Sequence, residues 1–509
     1  MKLAITFTGL LALVIPVFVA QGAERHVTGG IIRGDDLSDG SAIFRGIPYA
    51  APPVEDLRWK PPQPVISWHG IREARVAGNP CMQTDEGWNA NDAAIGSEDC
   101  LTLSVHEPKH RQNERLPVYV WIHGGSNRAG SGGDTADSPI YKHGIVVVSI
   151  DYRLGIFGFL ASPELTDESP HHSSGNYGLL DQIAALRWVS NNIAAFGGDA
   201  NNVTVGGQSA GAMDIGQLLR SPLAVGLFNR VIQESGVMSP PRSAADNERI
   251  GRDLLNALEI PSGVSALSAL RRLPASVLLV TSDKLAPVTG DHNLLWMESS
   301  ADGWVIPVGR NNLYQNDDVS HVAHLVGNVT QEFIFDGTSE EAHALVSRIY
   351  GSVAQAALNL YGFRKTEPPT DDAIFGSVGT QALTDWTMRC PSYQLAKWTM
   401  TTQQSMHHRV WRYEFGIARP GRPRVEHNAE LDYAYQAMPT GATSQAWPPL
   451  QQYWANFIKY GNPNGQALPY WPDMGTSANY IAFLPTGIQR GKDMHGNLCR
   501  LLAEKNASH

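Results

Sequence analysis

Short, uninterrupted apolar runs constrain this chain more than any other feature. Val118–Ile122 stops at His123-Gly124-Gly125, and Ile145–Ile150 stops at Asp151-Tyr152. Val203–Val205 runs into Gly206-Gly207, while Val231–Gln233 and Val322–Val326 continue the series. Runs without polar alternation suit strands buried on both faces, as in a mainly parallel sheet. Between them, Leu179–Phe196 places Leu180, Ile183, Leu186 and Val189 at helical spacing. Strands alternating with helices imply right-handed crossovers in an α/β fold. The expected architecture is therefore a large, mostly parallel central sheet flanked by helices. Ala244–Val288 reads as a helical insertion, and 24–509 as one domain, since no repeat or low-complexity linker divides it. Charged residues make up only 17% against 42% hydrophobic, and soluble domains usually carry about 25% charged residues, so a sizeable core follows. The net charge is −10 with no long Lys/Arg run, so nucleic acid is not an expected partner.

The amino terminus reads Met1-Lys2, an apolar stretch Leu3–Ala20, then small residues at Ala20, Gly22 and Ala23. This is the layout of a secretory signal over 1–23, and it points to a secreted or periplasmic protein. The alternative is an uncleaved anchor, against which Gly9 and Pro16 interrupt the run. No later stretch is long and apolar enough to span a bilayer. The four cysteines, Cys81, Cys100, Cys390 and Cys499, suggest two disulfides in an exported chain, with three pairings open.

Gly207-Gln208-Ser209-Ala210-Gly211 is a G-x-S-x-G motif between the run Val203–Val205 and a helical pattern carrying Met213, Leu218 and Leu219. That context suits a nucleophilic serine on a tight strand-to-helix turn. The helix amino terminus would then supply free N–H groups and a positive dipole end for an oxyanion. His123-Gly124-Gly125-Ser126 follows an earlier strand and has the form of an HGGG oxyanion loop, with serine in place of the third glycine. The expected oxyanion donors are Gly125, Ser126 and Ala210.

Beyond these motifs, Phe196-Gly197-Gly198 followed by Val203, Val205, Gly207, Ser209 and Gly211 resembles the serine signature of type-B carboxylesterases. Glu98-Asp99-Cys100-Leu101-Thr102-Leu103-Ser104 resembles their second signature, with His106 departing from an apolar position. The likeness runs from about Val27 to Leu502. It implies the α/β-hydrolase fold, small-molecule ester substrates, and disulfides Cys81–Cys100 and Cys390–Cys499. It also implies a triad in the order Ser209, Glu332, His427. Glu332 closes Gly327-Asn328-Val329-Thr330-Gln331-Glu332, and Phe333 stands where the family usually has glycine. His427 opens His427-Asn428-Ala429-Glu430-Leu431-Asp432-Tyr433. Ser235 resembles a family serine near the histidine and the acid; a plain strand-end turn serine is the alternative.

Two features bear on specificity. Asn127 and Arg128 follow the oxyanion loop, and a pocket-facing guanidinium there would favour an anionic or strongly polar substrate; an outward, solvated arginine is the alternative. Trp88 resembles the gorge tryptophan of cholinesterases and would offer a cation–π site, though packing under the Cys81–Cys100 loop is the expected role. The paired histidines His171-His172 and His407-His408 read as surface. No metal motif and no cofactor pattern is present. Asn202, Asn328 and Asn506 open N-x-[ST] sequons. Besides ester hydrolysis, the readings open to this sequence are a catalytically inactive binding or adhesion relative and an amide-cleaving hydrolase with the same triad.

Overall fold

The computed structural model describes residues 22–237, 241–285, 299–308, 322–363, 369–402, 409–443 and 446–507. The expected signal, save for Gly22 and Ala23, the pair His407-His408 and the last residues of the expected insertion lie outside them.

An 11-stranded sheet organises the chain. Its order runs Gly487–Lys492, Asn479–Leu484, Val410–Phe415, Ala323–Val329, Arg230–Glu234, Gly198–Gln208, Leu116–Ile122, Val146–Ile150, Thr102–Glu107, Ala42–Pro48, Asp35–Asp36. From Asn479–Leu484 across to Val146–Ile150 every pairing is parallel, and antiparallel strands close both edges. Period-2 alternation distributes these strands between two layers. Val118, Val120, Val146, Val148, Val203 and Val205 pack with Leu179, Ile183 and Leu186 on one face. Tyr119, Trp121, Val147 and Ile232 pack with Trp454, Phe457 and Ile458 on the other. With both faces covered, no polar alternation is needed, which is why the runs read as solidly apolar.

Two elements differ from their sequence limits. The helix expected from Leu179 begins at Tyr177 and ends at Asn192, and its last turn tightens into a 3₁₀ segment over Ile193–Phe196. The strand around Val203–Val205 extends over Gly198–Gln208, because Leu116–Ile122 pairs along it from Gly198 to Gly207 and holds the glycines in the ladder. The insertion forms helices Ala244–Ala257, Ala266–Arg272 and Ala275–Asp283. Disulfides join Cys81 to Cys100 and Cys390 to Cys499. His106, the departure in the second signature, is buried, bonded to Ala136 O and Ser41 Oγ and stacked on Tyr141. Asn328 is wholly buried, so its sequon is closed to a glycan. Among the described residues no helix is long and apolar enough to cross a membrane.

Because the central strands are parallel, their carboxyl ends lie along one edge, where open α/β sheets place their ligands. Ser209 follows the strand Gly198–Gln208, Glu332 follows Ala323–Val329, and His427 follows Val410–Phe415.

Candidate active site

Ser209 has φ 55° and ψ −124°, a conformation that costs a non-glycine residue on the order of 1–3 kcal/mol. The surroundings impose it. Its N–H donates to Glu234 O at 2.9 Å and its C=O accepts from Met213 N–H at 2.9 Å. Helix Ala210–Arg220 starts immediately afterwards and aims the unpaired N–H groups of its first turn at the same space. The helix lies so close to the neighbouring strand that a Cβ on Gly211 would fall 2.2 Å from Ile122 O.

The loop after Leu116–Ile122 faces this turn. Gly125 has φ +108°, and a Cβ there would fall 2.0 Å from Ala129 O. Ser126 has a left-handed backbone, at φ 57°. Ala210 is buried at the helix start. Gly125, Ser126 and Ala210 are thus carried by the two turns at this edge. His123 is buried, stacks on Tyr152 and bonds Gly124 O through Nδ1 at 2.8 Å. Burial holds its pKa down at about 4, so it stays neutral and uncharged beside the loop.

The three residues proposed for specificity take up different positions. Asn127 is 1% exposed. Its Nδ2 donates to Asp214 Oδ1 at 3.0 Å and its Oδ1 accepts from Tyr152 at 3.2 Å. It therefore does not face a substrate: it satisfies a buried carboxyl that burial pushes up to about 7. Trp88 is 66% exposed, not packed under its loop, and the edge of its ring lies against Gly125. Arg128 sits at the rim with its side chain a quarter exposed. Its Nη2 lies 3.3 Å from Asp283 Oδ1 and 3.4 Å from Glu86 Oε1.

On the other side, Glu332 is buried. One carboxylate oxygen accepts from Val329 N–H at 2.9 Å, and the other meets His427 Nδ1 in a short hydrogen bond. The remaining ring nitrogen, Nε2, is buried with no hydrogen-bond partner among the described residues. Burial pulls the imidazole pKa down, but the charge and hydrogen bond of Glu332, aided by Glu430, outweigh it, and the net direction is up. Phe333 needs no left-handed backbone, and its ring stacks on His427 at 5.1 Å. With Ala210, Met213 and Met388 it forms an apolar wall beside the imidazole.

Ser235 reaches neither His427 nor Glu332 by hydrogen bond: its Oγ donates to Glu430 Oε1 at 3.0 Å, where Tyr413 also donates. Sequence reasoning did not single out Gln208, Glu430 or Glu234. Gln208 Nε2 donates to His427 O at 3.0 Å, which ties the residue before Ser209 to the histidine loop. Burial, then the charge of Glu332, raises the pKa of Glu430. Burial, then Glu430, raises that of Glu234, which accepts from Tyr435 and Trp454. Only Glu430 had a signal, as the acid of the H-x-x-[ED] pattern. Among the described residues no group of three His, Cys, Asp or Glu side chains is placed to hold a metal.

The arrangement suits a serine hydroxyl that gives up its proton to an imidazole as it adds to a carbonyl, with backbone N–H groups for the oxyanion formed on that carbonyl oxygen. The comparisons with known proteins point to ester hydrolysis. A model of the "Carboxylesterase family" matches residues 21–498. The chain is 33% identical to the fumonisin B1 esterase of Sphingopyxis macrogoltabida, over 94% of this chain and 90% of the relative. It is 29% identical to the cocaine esterase of Homo sapiens, over 90% and 86%. Among solved structures it is similar to a PNB esterase, with a TM-score of 0.78 and 30% identity over 94% of this chain and 99% of that one.

Proposed function

The chain belongs to the carboxylesterase family and is a carboxylic ester hydrolase, and from that premise we propose that it works through an acyl-enzyme on Ser209, with His427 as base and acid and Glu332 as the carboxylate. His427 Nε2 takes the Ser209 proton as Oγ attacks the ester carbonyl. The oxyanion is received by the N–H groups of Gly125, Ser126 and Ala210. Collapse expels the alcohol, which carries away the proton from His427. Water then attacks the acyl-serine, giving up its proton to the same nitrogen, and collapse releases the acid as His427 returns that proton to Ser209 Oγ. The observation that supports this reading is the short His427–Glu332 hydrogen bond, which leaves Nε2 without a partner among the described residues, together with the positive-φ turn at Ser209 and the Gln208 amide bonded to His427 O.

The substrate class in this reading is esters with polar or anionic, polycarboxylate parts. It draws on Arg128 at the rim and on a relative named for esterase action on fumonisin B1. A substrate carboxylate would exchange with Glu86 and Asp283 at Arg128. Export through the leader 1–23 is part of the same reading, supported by two disulfides, which persist in oxidising compartments; amino-terminal sequencing of the mature protein checks it.

The mechanism is tested with Ser209→Ala. We expect kcat to fall by several orders of magnitude at unchanged stability, since the residue sits on a turn. An organophosphate should label Ser209 and abolish activity in step. Full activity in the alanine variant overturns the mechanism.

A further inference from the structure

The loop that carries Glu332 is irregular, buried and next to the reacting centre, so each of its polar groups needs a partner. Several of those partners lie together, while Asn328 Oδ1 and Thr330 Oγ1 have no hydrogen-bond partner among the described residues. Glu332 N–H donates to Thr384 Oγ1 at 3.1 Å. Asn328 Nδ2 donates to Val329 O and to Glu414 Oε2, both at 2.9 Å. Glu414 Oε1 accepts from Arg389 Nε at 2.9 Å, and Arg389 Nη2 reaches back to Thr330 O at 3.5 Å. Arg389 also pairs with Asp385. Asp385 accepts from Tyr361 at 2.6 Å and meets His495 Nδ1 at 2.8 Å. Between helices Val378–Thr384 and Cys390–Thr402 the backbone widens into a π turn over Asp385–Arg389, a local distortion that recurs at functional sites.

We propose that Thr384, Asp385 and Arg389, acting through Glu414 and Asn328, are positioning residues that fix the Glu332 carboxylate against His427. Burial of this kind is hard to account for by stability. Asp385, Arg389, Arg412 and Glu414 are all fully buried, and buried ion pairs add little or nothing over apolar side chains of similar volume. What such pairs do supply is direction: a guanidinium fork bonds its carboxylates in one plane. The set grips the loop ahead of the acid, at Asn328–Thr330, and at the Glu332 N–H itself. Asp385 stays ionised, because although burial alone would raise it, the charges of His495 and Arg389 bring its pKa to about 2.

The inference rests on Glu332 being the acid of the proposed mechanism, and the two can fail separately. Thr384→Val exchanges a hydroxyl for a methyl of the same shape, so the fold is kept while the Glu332 N–H loses its acceptor. On a short neutral ester we expect kcat to fall on the order of ten-fold with KM unchanged, the weight of one hydrogen bond. The acid limb of the pH profile should move to lower pH as His427 loses contact with Glu332. The far-downfield proton NMR signal of His427 Nδ1–H should move upfield. Thr384→Ser should restore all three, and Asp385→Asn should reproduce the loss. A folded Thr384→Val enzyme with wild-type kcat, pH profile and proton signal overturns the proposal, as does Thr384→Ser behaving like valine. If Glu332→Gln itself keeps wild-type activity, the triad reading falls and this inference with it. If Glu332→Gln is inactive while Thr384→Val is normal, only the positioning role falls.

Discussion

The oxyanion side and the acid side of this site lie at the same edge of one sheet, yet different forces hold them. On the oxyanion side the chain at Gly130 is tied by neutral hydrogen bonds. Gln83 donates to Gly130 O at 3.0 Å and accepts from Gly130 N–H at 2.8 Å, while Asn89 bonds Gln83 at 2.8 Å. On the acid side the loop 328–332 is tied through Arg389, Glu414 and Asp385, all with no exposure. The difference lies in where charge is buried: on the oxyanion side the buried ties at Gly130 are neutral and the ion pairs of Arg128 sit at the partly exposed rim. The acid loop meets only protein, and in that low-dielectric setting charges orient strongly but tolerate no missing partner. Each side also has its own disulfide. Cys81–Cys100 closes the loop bearing Gln83, Asn89 and Trp88, and Cys390–Cys499 joins the chain just after Arg389 to the chain just after His495.

The comparison is tested most strongly by breaking each side once. Glu332→Gln should lower kcat by about 10⁴-fold, the scale seen when a triad carboxylate is neutralised. Gly125→Ala forces a Cβ toward Ala129 O and should cost about 10²- to 10³-fold, the scale of one lost oxyanion donor. The pH profiles should separate them further. In the proposed mechanism neutral His427 is the base, and its raised pKa means activity should be lost as pH falls through a midpoint above the ordinary imidazole value. Glu332→Gln removes the charge that raises it, so the midpoint should move to lower pH while the plateau collapses. Gly125→Ala should lower the plateau and leave the midpoint in place. Equal midpoints in the two variants would mean that Glu332 does not set the His427 pKa.

Removing the disulfides probes the same contrast through stability. The chain-entropy relation gives about 3 kcal/mol for a loop of the Cys81–Cys100 separation, 19, and about 5 kcal/mol for that of Cys390–Cys499, 109. Cys390→Ser/Cys499→Ser should therefore lose more in urea unfolding. Activity should run the other way. Without Cys81–Cys100 the loop holding Gly130 is freed, and kcat/KM should fall in molecules that are still folded. Without Cys390–Cys499 the buried ion pairs still hold the acid loop, and activity per folded molecule should stay near wild type. A reversed order in activity would place the controlling constraint on the acid side.

The two sides were also unequally legible in the sequence. The sheet could be read from its apolar runs, because strands covered on both faces leave that trace along the chain. The serine turn and the oxyanion loop are local patterns of a few residues, and local patterns survive in sequence. His427 is different. It is one of 17 histidines, and only resemblance to a family pattern singled it out. The scaffold behind Glu332 left no trace, because Glu332–Thr384 and Asn328–Glu414 pair across 52 and 86 positions, and nothing in the spacing of one segment reports its partner in another. Asn127 was misread for the same reason. Asp214, which turns it inward, lies 87 residues away. Trp88 was misread because an aromatic side chain in a disulfide loop is usually packed, and here its ring is left outside, against the oxyanion loop.

The smallest expected effect concerns Arg128, where the exposed side of the site meets charge. Its Nη2 is shared by two carboxylates at distances beyond the optimum for a charged hydrogen bond, and partly exposed pairs of this kind are worth about 1 kcal/mol or less each. A substrate carboxylate that desolvates the guanidinium and bonds it bidentately would exceed that, so exchange is favourable, but the gain is the difference between the two. Arg128→Ala should then lower kcat/KM about 10-fold on an ester of a di- or tricarboxylic acid, the low end of what a hydrogen bond to a charged group contributes. On a short acetate ester the change should be slight. Asp283→Asn removes one competitor and should raise kcat/KM on the anionic ester by a few-fold, or about 1 kcal/mol at most. Added salt should narrow both differences, since the rim is partly screened. Equal losses on both esters in Arg128→Ala would mean that the arginine, with Asp283 and Glu86, serves only to brace the rim. In that case even the charged groups on the oxyanion side would be structural, and the contrast between the two sides would rest on burial alone.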